Sequence, residues 1–232
     1  MIRTVMFARE PLRAPFTLAL LVVVPALFVI AAAGALSDFA TALGGSLQAD
    51  AAVALSAGWA AAFLSGALGF FQAASARGAD RRLALAGLGP ARVAASRIGA
   101  TLVLACVAAL AAFGALLTRV EVAHPLHAAV AVLAFAVLYV AIGVIVGSLI
   151  TGPLEGSLVV VFVFLLDAFA GPGMTGGSAP PWAVSQTAAE TLIAAGMGVS
   201  SPPSDWGTLA LVIGAALVIA FAAFVASARN RS

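Results

Sequence analysis

The chain has 232 residues, 63% of them hydrophobic and 9% charged, with a net charge of +2 and a mean hydropathy of +1.16. A soluble domain carries about 25% charged and about 45–50% apolar residues, and one core buries only about three quarters of the surface of even a larger chain. The composition excludes a soluble globular fold: the surplus apolar surface must face lipid, and so small a net charge gives no basis for a nucleic-acid interface.

A bilayer-crossing helix needs about 20 mostly apolar residues, within a working range of about 17–25. Residues 1–14 come first, with Val5, Met6 and Leu12 apolar and Arg3, Arg9, Glu10 and Arg13 polar. This is a short amphipathic segment suited to the interface plane, interrupted by Pro11. The first span covers 15–36, kinked at Pro25, where one backbone donor is missing. A cleaved signal peptide competes for this stretch, but its apolar run exceeds the usual length of about 7–15 residues. The second span covers 51–74, the third 98–118, the fourth 126–150, a short fifth 154–170 and the sixth 206–226. The whole chain reads as one transmembrane domain of all-α class.

All 11 basic residues are arginine, and their places orient the bundle. Arg3, Arg9 and Arg13 precede the first span. Arg77, Arg81, Arg82, Arg92 and Arg97 fill the loop 75–97, and Arg229 and Arg231 follow the sixth span. Only Arg119, beside Glu121, falls on the other side. Basic residues are retained in the cytoplasm during insertion, so six spans put both termini inside. The expected location is the plasma (inner) membrane. The outer connections are then 37–50, 118–125 and the long 171–205, while Thr151, Gly152 and Pro153 make a tight inner turn.

Few residues carry chemistry. Asp80 suits the cap or first turn of a short helix starting near Arg81, followed by Leu83, Leu85 and Leu88 and ended by Gly87, Gly89 and Pro90. Two readings of this loop stand side by side. Its arginines either set topology and touch anionic lipid, or the loop is a docking knob for a cytosolic protein. Glu155 reads as a first-turn acid. Asp167, near the outer end of the fifth span, is either a functional intramembrane acid or one that reaches the interface. His124 and His127 flank Pro125 without completing a metal-ligand set. Cys106, the lone cysteine, can form no internal disulfide. Ser65-Gly66 has no histidine within any span to act as base. No His-Glu-x-x-His motif occurs, and a chain without lysine has no Walker phosphate loop. The expectation is no enzyme, no metal and no cofactor in this chain.

The order of parts resembles the membrane subunit of a type-2 ATP-binding-cassette (ABC) transporter. The likeness lies in a segment resembling an elbow helix, 7–15, before a proline-bearing first span. It continues with a segment between spans two and three that looks like a coupling helix, from Arg77-Gly78-Ala79 to Pro90-Ala91-Arg92. Next come the tight turn Gly152-Pro153-Leu154-Glu155-Gly156 before a short fifth span, and an outer segment with Ala170-Gly171-Pro172-Gly173 and Ala179-Pro180-Pro181-Trp182. Gly78-Ala79-Asp80-Arg81 departs from the family's usual Gly-Thr with a following glutamate. The run 82–89 also resembles the coupling segment of the cell-division and macrolide type of permease, whose large extracellular domain is missing here.

The resemblance implies an export permease working as a dimer, with a second copy or a paralogue, on a cytosolic ATPase that holds the ATP and Mg. It implies re-entrant helices within 182–199. Arg77, Asp80, Arg81, Arg82, Leu83, Leu85 and Leu88 would contact the ATPase, with Asp167 and Glu155 as pathway or gate residues. The alternative from another class is a non-transporting membrane anchor or regulator that recruits a soluble partner. No ring of polar groups implies an ion channel.

Overall fold

The computed structural model describes residues 15–75, 77–83, 87, 89–150, 152–175, 183–198 and 203–229; side chains at 15–18, 77, 80, 81, 203–205, 228 and 229 are outside the description. Among the described residues, eight helices follow in chain order. They are α1 (Pro15–Ala42), α2 (Ala49–Ser75), α3 (Arg77–Leu83), α4 (Pro90–Leu117), α5 (Pro125–Leu149), α6 (Pro153–Phe169), α7 (Gln186–Met197) and α8 (Pro203–Arg229). No strand occurs among the described residues; one isolated bridge joins Gly44 to Thr175. Among the described residues, five helices are long and apolar enough to cross a membrane: α1, α2, α4, α5 and α8. At 17 residues, α6 is about 25 Å long, short of a hydrocarbon core of about 30 Å.

Three boundaries differ from the sequence expectation, each for a local reason. The first helix runs through Pro25 and continues to Ala42, beyond the expected end at 36. Ser37 and Thr41 turn their hydroxyls back onto the Gly34 and Ser37 carbonyls at 2.9 Å, so neither interrupts the helix. The expected outer loop 37–50 shrinks accordingly. The short helix begins at Arg77 instead of near Arg81, which puts Asp80 at its middle residue, not at a cap. Finally, Pro90 does not end the inner segment but opens α4 at its first turn, where a missing N–H costs nothing. Arg92 and Arg97 therefore ride on a helix. The expected elbow helix, 1–14, lies outside the described residues.

The centre of the bundle is the pair α2 and α5, the two most deeply buried of the long helices. They run parallel, because their contacts advance together: Gly58 against Phe135, Gly66 against Tyr139, Gly69 against Val140 and Val144, Gly147 against Phe70 and Ala73. A Cβ on Gly69 would lie 2.6 Å from the Val140 carbonyl oxygen, and one on Gly147 2.7 Å from that of Phe70. Only glycine lets the two backbones come so close. In lipid, where apolar burial gives little net drive between helices, this close contact is the source of cohesion.

Around this pair the remaining elements are progressively more exposed. Most of α1 and α8 faces outward, with Leu27, Leu211 and Val218 more than half exposed, and α6 presents Leu154, Leu158 and Phe162. Such apolar outer faces suit lipid. Within the core, the Ser65 hydroxyl is fully buried and has no hydrogen-bond partner among the described residues. Ser65→Ala removes that unpaired group and is expected to leave stability unchanged or raise it by about 0.5–1 kcal/mol. A detergent denaturation curve checks this; a clear loss would place a partner on the hydroxyl.

The charged residues divide between the two ends. Residues 77–83 of α3, the start of α4 with Arg92 and Arg97, and the end of α8 at Arg229 share one end. Arg119 lies at the other, in the turn between α4 and α5, where Trp206 at the start of α8 meets His127 at 5.2 Å between ring centres. Arg97 is half-buried and donates from Nη1 to Gln72 Oε1 on α2 at 3.2 Å.

Candidate functional site

α6 and α7 together fill one lane of the bundle. α6 climbs α2 in the opposite direction: Gly156 packs on Phe70, Val160 on Gly66, Phe164 on Phe63 and Gly171, just past the helix, on Trp59. Trp59 lies ten residues into α2, about 15 Å from its start. The end of α6 therefore meets α2 partway along its length, while Phe169 stacks on Phe39, near the end of α1, at 5.1 Å between ring centres. The chain after it reaches the loop between α1 and α2, where Ser46 N–H donates to the Gly173 carbonyl at 3.1 Å.

α7 lies against α2 and α5, toward the α4–α5 turn. At its far end, the Ala195 carbonyl accepts from the His124 N–H at 3.0 Å, at the level of the α4–α5 turn. Midway, Leu192 packs beside Gly58 and Phe135. At its near end, Ser185 is the N-cap residue, and its backbone N–H meets Asp167. The 12 residues of α7 rise about 18 Å, so the helix begins inside the bundle and ends at its arginine-poor face.

Asp167 is the site's centre. It is 3% exposed, and its carboxylate accepts two hydrogen bonds. Tyr139 Oη–H donates to Oδ2 at 2.7 Å, and Ser185 N–H donates to Oδ1 at 3.2 Å. Tyr139 is itself fully buried, 14 residues and about 21 Å along α5, with its ring held edge-on by Phe164 at 5.9 Å. Each partner solves the other's problem. A buried phenol needs an acceptor, and a buried carboxylate needs donors. The N-terminus of α7, whose first N–H groups lack helical partners, carries partial positive charge toward the acid. The Ser185 side chain makes no cap bond, so Asp167 supplies the cap from another helix.

The Asp167 side chain points into the bundle, buried between Tyr139 and Ser185. Glu155 is not part of this site. It is exposed in the first turn of α6, twelve residues and about 18 Å below Asp167. Among the loop residues singled out, Arg82 is exposed, while Leu83 is half-buried against the main core and so faces the bundle. Leu85, Leu88 and the side chains of Arg77, Asp80 and Arg81 lie outside the described residues. His124 and His127 stand 5.6 Å apart, and His127 packs on Trp206. Above α7, a cleft of about 310 Å³ opens at the arginine-poor end, lined by Asp50, Arg119, Glu121, Ile193, Gly196 and Met197 among others.

Tyr139 was missed by sequence reasoning, although the signal was available. It is the chain's one tyrosine, placed in the middle of an apolar helix, and a phenol there must find an acceptor. Gln72, the amide inside the second span, was missed in the same way.

The fold defines a class: a multi-pass membrane protein, helical among the described residues, with five helices there long and apolar enough to cross a bilayer. Neither the protein-family models nor the curated proteins contain a match to this chain.

Proposed function

We propose that the chain is the membrane-spanning subunit of an ATP-driven ABC exporter of the type-2 kind, which forms the translocation path and is driven by a separate cytosolic ATPase. The observation that carries this reading is the short, 17-residue α6 followed by α7, whose start meets Asp167 inside the bundle; the resemblance implies a short fifth span and a re-entrant helix. On this reading α6 counts as a sixth crossing, completed in depth by α7. The arginine-rich end is cytoplasmic by the positive-inside rule, which puts both termini inside the plasma membrane.

The short α3 then stands where a coupling helix is needed, between α2 and α4 at the cytoplasmic end. The subunit has no ATP site of its own; ATP and Mg belong to the partner, and a second permease copy or paralogue completes the path. On this reading Asp80, Arg81 and Arg82 would pair at the rim of the ATPase groove, with Arg77 beside them, and Leu85 and Leu88 would seat in it. Because Leu83 already packs on the bundle, it anchors α3 and contributes less to the partner. An exposed rim pair is worth about 1 kcal/mol or less, so neutralising Arg82 weakens docking little. Leu85→Asp places an unpaired charge in a dry contact and is expected to abolish co-purification. Full retention of the ATPase by this variant would sink the docking assignment.

A second reading, a membrane anchor that recruits a soluble regulator, draws on the inward face of Leu83, which an interfacial loop would show equally. Affinity purification of the tagged chain from mild detergent decides between them. A stoichiometric ATPase supports the permease; a different soluble protein, with no ATPase, supports the anchor.

A further inference from the structure

We propose that α7 is a hinged plug, held in its seat by the Asp167 carboxylate, and that it leaves this seat when that contact breaks. The proposal concerns a movement within this chain and stands whether or not an ATPase binds it.

The seat is smooth. The buried residues of α7 are Ala188, Ala189, Thr191, Leu192 and Ala195, so only two large apolar side chains, buried Leu192 and half-buried Ile193, pack on the core. Dispersion and burial scale with atoms in contact, and an alanine face adheres weakly. The contrast with the glycine seam of α2 and α5, backbone against backbone, marks that pair as the rigid body and α7 as the separable part.

What holds α7 at depth is polar and local. At the inner end, Asp167 accepts the Ser185 N–H and faces the positive end of the helix. At the outer end, the backbone bond from His124 to the Ala195 carbonyl is a pivot that survives a change of tilt. Room for tilting exists there. The cleft borders Ile193, Gly196 and Met197, and a Cβ on Gly196 would meet only Ala54, at 3.8 Å. Gly198, at φ 74, takes the left-handed conformation that lets the chain turn as it leaves the helix. Asp167 is also two residues from the end of α6, so a shift of α6 moves the carboxylate away from the start of α7, whose seat lies on α2 and α5. One charged side chain thus links a peripheral helix to the plug.

The test uses the full chain in lipid nanodiscs, with Cys106→Ala and a single reporter, Ala189→Cys, at a fully buried position of α7. A water-soluble maleimide reports its accessibility. With Asp167 intact, labelling is slow. Asp167→Asn keeps the size and an acceptor but removes the charge facing the helix N-terminus, and labelling is expected to quicken about tenfold. Ser185→Pro deletes the N–H from the other side of the contact and should do the same. Ala188→Cys serves as a second reporter. Ala61→Cys, buried in α2, should stay unreactive throughout. Equal labelling rates with and without Asp167 would overturn the latch. So would a parallel rise at Ala61→Cys, which would mean that the whole bundle had loosened.

Discussion

Replacing Gly143 with valine is expected to prevent assembly of the bundle, and even Gly143→Ala should cost about 1–3 kcal/mol of stability, the range for overpacking a tight contact. The reason is the identity of the atoms in the way. A Cβ on Gly143 would lie 2.8 Å from the Phe70 backbone nitrogen and closer still to the Gly66 carbonyl oxygen. Backbone atoms of a helix cannot rotate aside as a side chain can, so α2 and α5 must part along their length. Every neighbouring contact of the seam, from Gly58 to Gly147, is then stretched. Gly114→Ala is the matched control, because nothing lies within 4 Å of a Cβ at that helical position. There the exchange should raise stability by about 0.5–1 kcal/mol through lower backbone entropy in the unfolded chain. Unfolding in mixed detergent micelles measures both. Equal effects at the two sites would mean that the seam is not close-packed.

Asp167→Ala is the second large effect. It leaves the Tyr139 hydroxyl and the Ser185 N–H buried without an acceptor, at about 1–3 kcal/mol for each orphaned group. Tyr139→Phe removes one of the two donors from a buried carboxylate and should cost about 1.5–3 kcal/mol, the range for bonds to charged groups. The double variant should lose less than the sum, because once either partner is gone the other has less to lose. Additive losses in that cycle would show that the two side chains do not act on one another. Asp167→Asn should fall between wild type and alanine, since the amide still offers an oxygen. It therefore separates the charge from the hydrogen bonds and complements the accessibility measurement on α7.

Much of this was legible from the chain, and the pattern of what was not is physical. Span existence follows from apolar length, which needs no partner; the fourth and sixth spans appear where composition put them, and a helix, α6, forms at the place of the expected fifth but is too short to count as a span by length. Ends proved harder, because Ser37 and Thr41 carry their own hydrogen bonds within the helix and Pro90 can open a helix as readily as end one. The loop 75–97 was legible as a charged break between spans. The direction in which Leu83 faces was not, since it depends on what α3 packs against.

The sequence by itself determined that this is a membrane protein, which segments are apolar enough to enter lipid, and that the arginines gather at one end. These are properties of composition and of charge position, and they hold for any packing of the helices. Tertiary structure alone decided that α2 and α5 form the centre, because glycine matters there only when a second backbone lies across it. It also decided the meaning of Asp167. In sequence it is an acid near the end of a short span. In the bundle, the depth of α6, the sole tyrosine on α5 and the first N–H of α7 converge on its two oxygens, and no one of those elements announces the others. A buried charge can persist only where donors from separate helices arrive together, and that is a fact of three dimensions.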